Sequence, residues 1–380
     1  MQHTSKLPNI GSTIFSVMSG LAKKYNAINL SQGFPDFGSD QKLIDLVNNA
    51  MNSGYNHYAP MAGNIELREA IAKKIDLLYS TTYHPENEIT VTAGATQAIF
   101  TIINTFIKPE DEVIIFRPAY DSYEPAITLN GGKIISIQLI APRFTVDWNE
   151  VEQKINNRTK MFIVNTPHNP SGTVFSEEDM LQLERLTKNS NIIVLSDEVY
   201  EHMIYDGEKH QSVCLFPDLK SRSFITGSFG KTFHNTGWRI GYCCGPKDLM
   251  DEFMKVHQFN VFCIHHPSQK GIADYMQDPR HYLGLSSFFQ EKRDLFLELI
   301  KDSRFTFTPS KGTYFQVLNY SEITQEHDLE YAKRLTIESG IASIPLSVFN
   351  TNHLDNKVLR FCFAKEDDTL KRAADILNTI

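Results

Sequence analysis

Short apolar runs alternate with longer segments of helical pattern between about residues 64 and 245 of the chain. The runs cover residues 88–92, 112–116, 160–164, 192–195 and 223–226. Parallel strands that are buried on both faces form runs of this kind, and the crossovers between them are usually helices. The alternation therefore predicts a mostly parallel sheet with helices on both faces.

Two of the intervening segments carry helix start signals. Asn64 precedes residues 65–78, whose apolar side chains recur at helical spacing. Ser176 precedes an acidic first turn and the apolar positions of residues 181–186. We predict that a helix begins after each of these two residues.

The pattern changes beyond about residue 275. A long charged helix near residues 280–302 is followed by the apolar segments 305–307 and 314–318, and then by a helix, a strand and a helix. This order is typical of a smaller α+β domain, across which we expect the first forty or so residues to pack. We predict a large domain over residues 38–275 and a small domain built from residues 1–37 and 276–380.

The composition excludes several classes of protein. The 380 residues include 37 Lys and Arg and 45 Asp and Glu, which gives a net charge of −8, and no basic cluster of the kind that binds nucleic acid. No apolar stretch approaches the ~20 residues of a membrane helix, and there is no apolar signal-peptide core. We expect a cytoplasmic protein of two domains that binds neither nucleic acid nor membrane.

The cysteines and paired histidines do not have the spacing of a metal site. The five cysteines are odd in number, and the one close pair, Cys243 and Cys244, is adjacent rather than spaced as C-x-x-C. His265 and His266 are also adjacent, which favours a structural or pocket-lining role. We expect reduced, mostly buried thiols and no metal.

Chemically informative residues follow the predicted strands, where ligands bind in open sheets of this kind. Residues 93–98, a glycine among small residues, open a helix whose free N–H groups favour an anion such as phosphate. The other strand ends offer two aromatic rings, an amide and a carboxylate: Tyr120, Tyr200, Asn169 and Asp197. Each alone is also typical of a turn or of core packing. Together they fit a flat, cation-capable, phosphorylated ring such as pyridoxal phosphate (PLP).

Lys231 lies in the segment Gly227–Phe233, directly after the last run. A lysine that forms an imine must be held rigidly and partly desolvated near positive charge, so that its amine is nucleophilic near neutral pH. Two other interpretations are weaker. A P-loop needs glycine where the chain has Ile225. The S-x-x-K motif of serine acyl enzymes, matched by Ser228 and Lys231, lacks its companion motifs S-D-N and K-T-G.

Over nearly its whole length the chain resembles the class I, fold-type I PLP-dependent aminotransferases. Among them it is similar to the bacterial methionine aminotransferases of the kynurenine aminotransferase and glutamine transaminase K group. The matching stretches are residues 29–37, 58–61, 165–172, 196–202, 228–233 and 344–349. The resemblance implies an α/β fold: a large domain with a mostly parallel sheet between helices, joined to a smaller α+β domain. It also implies pyridoxal 5'-phosphate as the cofactor.

The resemblance further implies roles for the residues at the strand ends. Lys231 would hold the cofactor as an imine and then move a proton as general acid and base. Asp197 would pair with the pyridine nitrogen and keep it protonated. Tyr200 and Asn169 would hydrogen-bond the phenolic oxygen, and Tyr120 would stack on the ring.

Sites for the phosphate and for the substrate carboxylate are implied in the same way. The phosphate would be held by a hydroxyl, a guanidinium and the first residues of a helix: Ser228, Arg239, Gly94, Ala95 and Thr96. Tyr58 of a neighbouring subunit would reach this phosphate, which implies a homodimer with shared active sites. Arg360, assisted by Asn169 and the backbone of Gly33, would bind the α-carboxylate, since a guanidinium in an apolar strand needs an anionic partner.

The residues that match the substrate side-chain pocket are mostly apolar: Phe15, Phe34, Tyr58, Met61, Phe262 and Phe349. Such walls suit a thioether or an aromatic ring. The hypothesis is an aminotransferase that moves the amino group of methionine, and of aromatic amino acids or glutamine, to a 2-oxo acid. A kynurenine aminotransferase and a cysteine-S-conjugate β-lyase that use the same site remain alternatives. A PLP-dependent regulator is disfavoured, because such proteins append a DNA-binding domain.

Overall fold

The computed structural model describes residues 4–8 and 10–380, so residues 1–3 and 9 of the predicted small-domain segment lie outside the described residues. The strands are β1 (Ile28–Asn29), β2 (Ile89–Thr92), β3 (Glu112–Arg117), β4 (Lys133–Gln138), β5 (Thr159–Asn165), β6 (Ile193–Asp197), β7 (Ser223–Ser228), β8 (Gly241–Cys244), β9 (Phe315–Asn319), β10 (Ile341–Ala342), β11 (Ile344–Pro345) and β12 (Val358–Cys362). The helices are α1 (Ile14–Tyr25), α2 (Gln41–Asn52), α3 (Ile65–Tyr79), α4 (Gly94–Phe106), α5 (Tyr123–Leu129), α6 (Trp148–Lys154), α7 (Glu177–Thr187), α8 (Pro217–Lys220), α9 (Phe229–Thr232), α10 (Lys247–Asn260), α11 (His266–Tyr275), α12 (Arg280–Leu283), α13 (Leu285–Leu299), α14 (Asp328–Arg334) and α15 (Asp367–Leu377).

A seven-stranded sheet, in the order β2-β8-β7-β6-β5-β3-β4, forms the centre of the molecule. Strand β8 runs antiparallel to both of its neighbours, and the other pairs are parallel, which confirms the mostly parallel sheet. The apolar runs did not indicate β4 or β8. Strand β4 is a partly exposed edge strand, and β8 is a short Gly-Tyr-Cys-Cys segment with no β-branched residue.

Both faces of this sheet are covered, as its apolar strands require. Within β3, Ile114 and Phe116 belong to one buried cluster, whereas Val113 and Ile115 belong to a second cluster on the other face. Successive side chains of a strand point to opposite faces, so a strand buried on both sides must be apolar at nearly every position. Helix α4 packs its apolar side chains into the second cluster.

The two helix start signals are confirmed. The Asn64 side chain accepts a hydrogen bond from the Glu66 backbone N–H at 2.8 Å and caps α3. Ser176 and Asp179 form a reciprocal capping box at the start of α7. The start of each helix is therefore encoded locally.

A second, antiparallel sheet of β11, β12 and β9 lies in the C-terminal part, and β1 pairs in parallel with β10. The chain near β1 also contacts β12, because Cys362 donates its N–H to the Leu30 carbonyl at 2.8 Å. The predicted long helix over 280–302 is instead two helices, α12 and α13, separated at Gly284. Residues 305–307 form only an isolated bridge, between Thr306 and Asn319. The domain boundaries at residues 38 and 275 stay a prediction.

Among the described residues, no helix is both long enough and apolar enough to cross a membrane. All five cysteines are free thiols, and four of them are buried.

Candidate active site

The carboxyl ends of β5, β6 and β7 meet at one edge of the large sheet and surround a cavity of about 140 Å³. The strand register pairs Asn165 with Asp197. The Asn165 side chain donates to the Asp197 carbonyl at 2.8 Å and accepts from the Asn169 N–H at 2.8 Å, which fixes the following loop. The cavity is lined by Ala95, Thr96, Ile99, Tyr120, Asn165, Asn169, Asp197, Val199, Tyr200, Ser228, Lys231 and Arg239.

Asp197 is a buried carboxylate with one oxygen free of hydrogen bonds. Its Oδ2 accepts a bond from the Tyr123 hydroxyl at 2.6 Å, whereas its buried Oδ1 has no partner. Burial raises the pKa of Asp197 to about 6, against the opposing effect of the Tyr123 hydrogen bond. A buried unpartnered carboxylate oxygen costs free energy unless a donor or a cation meets it. The site therefore fits a cationic N–H group beside Asp197.

Lys231 lies on the short helix α9, immediately after β7. Its Nζ donates to the Gly33 carbonyl and to the Tyr314 hydroxyl, at 2.9 Å each. Burial lowers the pKa of Lys231 to about 8, and the positive charges of Arg360 and Arg239 act in the same direction. A substantial fraction of this amine is therefore neutral, and hence nucleophilic, near physiological pH.

The start of α4 and Arg239 form a cradle at the edge of the cavity. The N-cap residue of α4 makes no side-chain capping bond, so the first N–H groups of the helix remain available to a ligand. Gly94 has a φ of +72°, and a Cβ built on it would lie 2.7 Å from Arg239 Nη2. The helix start and the guanidinium thus present donors and positive charge together, as a phosphate group requires.

Arg360 is buried in β12 and has only neutral hydrogen-bond partners. It is 1% exposed, and its Nη1 and Nη2 donate to Asn169 Oδ1 at 2.7 Å and to the Ser31 carbonyl at 2.9 Å. Its Nε is buried without a partner, and the guanidinium stacks 3.9 Å from the centre of the Phe315 ring. Among the described residues no carboxylate forms an ion pair with it, so the site fits a ligand carboxylate.

Four of the six apolar residues predicted for the substrate side chain form two aromatic pairs. Phe15 and Phe349 stack at 5.8 Å, and the Arg360 guanidinium lies 5.3 Å from the centre of the Phe15 ring. Tyr58 packs edge-on against Phe262 at 5.4 Å, is 82% exposed and does not line the 140 Å³ cavity of the single chain.

Three residues of the site were not singled out from the sequence: Tyr123, Asn165 and Tyr314. Tyr123 lies 74 positions before Asp197, and Tyr314 lies 83 positions after Lys231. Tyr314 begins an apolar run, and its hydroxyl there could have indicated a site, because a buried phenol usually needs a partner. Tyr123, between Ser122 and Glu124, gives no such signal. Asn165 carries a weaker signal, as a polar residue that ends a buried strand.

Comparison with known proteins decides the family. The family described as "Aminotransferase class I and II" matches residues 25–377. The chain belongs to this family. The membership confirms the family and the enzyme class that the sequence indicated, that of the transaminases.

Curated relatives and solved structures agree with this family. The chain is 44% identical over 377 residues to the methionine aminotransferase of Escherichia coli (strain K12), covering 99% of this chain and 98% of that protein. It is 30% identical to human kynurenine–oxoglutarate transaminase 3, covering 99% and 89%.

The E. coli YbdL structure, with which a methionine aminotransferase function was identified, is 44% identical, covers 100% of both chains and matches with a TM-score of 0.98. The N-succinyldiaminopimelate aminotransferase structure of Mycobacterium tuberculosis is 31% identical, covers 100% of both chains and has a TM-score of 0.95. These likenesses confirm the fold-type I prediction for this aminotransferase.

Proposed function

We propose that this protein is a PLP-dependent aminotransferase that moves the amino group of methionine to a 2-oxo acid. One juxtaposition carries the proposal. A buried carboxylate with a free oxygen, Asp197, and a lysine whose pKa is lowered to about 8, Lys231, line the same cavity. This pairing suits a cofactor with a ring nitrogen to hold and a carbonyl carbon to bind.

The residues around the cavity fit pyridoxal 5'-phosphate. When bound, this cofactor supplies an aldehyde and an electron-accepting ring that stabilises negative charge at the substrate Cα. Asp197 Oδ1 would accept the proton of the ring nitrogen, and the α4 start with Ser228 and Arg239 would bind the phosphate. Two phenols and an amide also line the cavity: Tyr120, Tyr200 and Asn169. Tyr120 would stack on the cofactor ring, and Tyr200 and Asn169 would hydrogen-bond its phenolic oxygen.

Lys231 would have two roles in the reaction. Its neutral amine is the group that would bind the cofactor aldehyde covalently. Once displaced by the amino group of the substrate, the same amine would take the proton from the substrate Cα as a general base. Its lowered pKa supports both roles, because a base with a pKa near the working pH has a usable neutral fraction and is still basic enough to accept a proton.

The substrate carboxylate would bind at Arg360. The guanidinium is buried and has an unpartnered Nε, so a ligand carboxylate would supply the negative charge that the described residues do not. Asn169 accepts a hydrogen bond from the guanidinium, and the Gly33 carbonyl accepts one from Lys231. The stacked Phe15 and Phe349 would contact the substrate side chain and favour an apolar group such as a thioether.

Methionine is proposed as the donor because of the E. coli relative at 44% identity. Aromatic amino acids and glutamine are proposed as further donors, with kynurenine aminotransferase activity supported by the kynurenine–oxoglutarate transaminases at about 30% identity. We also propose a cytoplasmic location and a homodimer, in which Tyr58 reaches the phosphate of the partner subunit. The exposure of Tyr58, 82%, and of Phe262, 46%, supports an apolar surface that a second copy covers.

Steady-state turnover tests the proposal. Purified protein supplied with PLP should convert methionine to 4-methylthio-2-oxobutanoate when a 2-oxo acid acceptor is present, and Lys231→Ala should not. Turnover of aspartate with 2-oxoglutarate far above that of methionine would refute the proposed donor. Release of pyruvate and ammonia from a cysteine S-conjugate without any 2-oxo acid would indicate the β-lyase instead.

A further inference from the structure

Residues 31–34, here called the strap, are held by three cations, one on α9 and two in or just after β12. Each cation donates a hydrogen bond to one backbone carbonyl of the strap, and each of the three distances is 2.9 Å: Arg360 to Ser31, Lys231 to Gly33 and Lys365 to Phe34. Two of these three cations, Lys231 and Arg360, also belong to the proposed site.

Tyr314 holds the same Gly33 carbonyl as Lys231. Its side chain is buried, and its hydroxyl donates to the Gly33 carbonyl at 2.5 Å while accepting a bond from Lys231 Nζ at 2.9 Å. These directions follow from the chemistry, because a carbonyl can only accept and a lysine ammonium can only donate. Gly33 is thus bound by two donors that are also bound to each other.

The ring of Tyr314 is fixed by aromatic neighbours. It packs edge-on against Tyr200 at 5.2 Å and against Phe315 at 4.9 Å. The hydroxyl is therefore held at Gly33 by the surrounding rings as well as by its own hydrogen bonds, so it does not depend on where the Lys231 amine lies.

We propose that Tyr314 is a positioning residue that keeps Gly33 and the strap in place while Lys231 reacts. The inference rests on the proposed function, in which Lys231 Nζ would form a double bond to the aldehyde carbon, and two of its hydrogens would leave with the aldehyde oxygen as water. An ammonium has three N–H donors, whereas such a nitrogen has at most one. Tyr314 takes no part in this step and keeps its proton on the Gly33 carbonyl.

The consequence concerns substrate binding. The strap also carries the Ser31 carbonyl that binds Arg360, the proposed partner of the substrate carboxylate. If Tyr314 holds the strap, the Arg360 site stays formed when the substrate arrives, although Lys231 would then be bound to the cofactor.

Hydrogen exchange of the strap amides in the PLP-loaded protein tests the proposal. We compare the wild type with Tyr314→Phe, which keeps the ring, and with the control Tyr320→Phe. Tyr320 is also a buried tyrosine whose hydroxyl donates to a backbone carbonyl, that of Glu326 at 3.0 Å, but it does not touch Lys231. Since a neutral hydrogen bond contributes about 1 kcal/mol, strap exchange in Tyr314→Phe should be about fivefold faster than in the other two proteins. The KM for methionine should rise in Tyr314→Phe more than kcat falls.

Equal strap exchange in all three proteins would overturn the proposal. A second variant covers the case in which Tyr314→Phe does not fold. In Lys231→Met the lysine donor is absent, so wild-type strap exchange is expected if Tyr314 alone suffices, and faster exchange would contradict that role.

Borohydride reduction followed by mass spectrometry distinguishes a failure of the proposed function. A wild-type protein in which PLP is not linked to Lys231 would overturn both proposals. A linked wild type with unchanged strap exchange in Tyr314→Phe would overturn only this one.

Discussion

Tyr123→Phe tests whether the charge of Asp197 holds the cofactor, and it leaves Lys231 unchanged. The substitution removes the hydroxyl that donates to Asp197 Oδ2 at 2.6 Å and keeps the ring, which packs edge-on against Tyr120 at 5.7 Å. Because the lost bond favours the charged carboxylate, the pKa of Asp197 must rise.

The size of the effect follows from the strength of such bonds. A hydrogen bond to a charged group contributes about 1.5–3 kcal/mol, and about 1.4 kcal/mol corresponds to one pKa unit. The pKa of Asp197, which is about 6 in the wild type, should therefore rise to roughly 7 to 8 in the variant. At pH 7 most Asp197 side chains are ionised in the wild type, but about half or fewer would be ionised in the variant.

The dissociation constant of PLP should report this change, because only an ionised Asp197 pairs with a cationic ring nitrogen. The ratio of the variant to the wild-type constant should be near unity above about pH 9, where both carboxylates are ionised. It should reach about 2 to 10 at pH 7 and about 5 to 50 at pH 6, and the full pKa difference, about 10- to 100-fold, would be expressed only below about pH 5. The titration of Lys231 cancels in this ratio, since the lysine is unchanged.

The assay is a PLP titration of both proteins at pH 6, 7, 8 and 9, followed by the visible absorbance of the bound cofactor. Tyr320→Phe controls for the loss of a buried hydroxyl elsewhere and should bind PLP as the wild type does. A ratio that does not change with pH, or that grows as the pH rises, would refute the role given to Asp197.

Two other substitutions test the site, and a third tests the buried ion pair of Lys74 with Glu201. Arg360→Lys should lower kcat/KM for methionine by about 10- to 100-fold, since it loses the planar fork and one charged hydrogen bond. Burial raises the pKa of Glu201, but the Lys74 ammonium and other groups lower it by more. Lys74→Met removes this ammonium and leaves a buried carboxylate without its partner. The free energy of unfolding, measured by denaturant titration, should therefore fall by about 3–5 kcal/mol at neutral pH. Gly94→Ala should displace Arg239 and weaken PLP binding at least about tenfold, measured by absorbance titration.

Each of these expectations has a control or a contradicting result. For Arg360→Lys, an equal loss with 3-(methylthio)propylamine, which lacks the carboxylate, would contradict a carboxylate site. For Lys74→Met, the stability deficit must shrink in acid, because the lowered pKa of Glu201 stabilises the fold only while the carboxylate is ionised; a deficit that persists in acid would contradict the pairing. Gly340 has a similar φ of +77° but open space around it, so Gly340→Ala is the control for Gly94→Ala. A similar loss of PLP binding in Gly340→Ala would mean that backbone strain, and not the displacement of Arg239, explains the Gly94→Ala result.

The fold could be predicted where the sequence signal is local. Strands buried on both faces have continuous apolar runs, and the caps at Asn64 and Ser176 determine where their helices begin. Strand β8 was missed because its first residue is determined by the close approach of neighbouring backbone and not by strand propensity. A Cβ at Gly241 would lie 2.6 Å from the Gly227 carbonyl and 2.9 Å from the Ala95 N–H, so glycine is needed there regardless of strand propensity.

Part of the site could also be predicted, since open sheets gather the ends of parallel strands at one edge. Asp197, Asn169 and Lys231 lie at or soon after the ends of three neighbouring strands and line one cavity. Tyr123 and Tyr314 could not be found in this way, because their partners are distant in sequence and only the tertiary fold brings them together. The family resemblance supplies roles for the residues of its motifs, but not for these supporting hydroxyls.

The central claim is that Lys231 works in a PLP site that removes the amino group of methionine. The most direct test mixes the PLP-loaded protein with methionine in the absence of any 2-oxo acid. We predict one equivalent of 4-methylthio-2-oxobutanoate per active site, after which the reaction stops, and none from Lys231→Ala. No product from a protein that has bound PLP, formation of the 2-oxo acid beyond one equivalent, or any release of free ammonia would contradict the account, because the amino group should stay on the cofactor until an acceptor arrives.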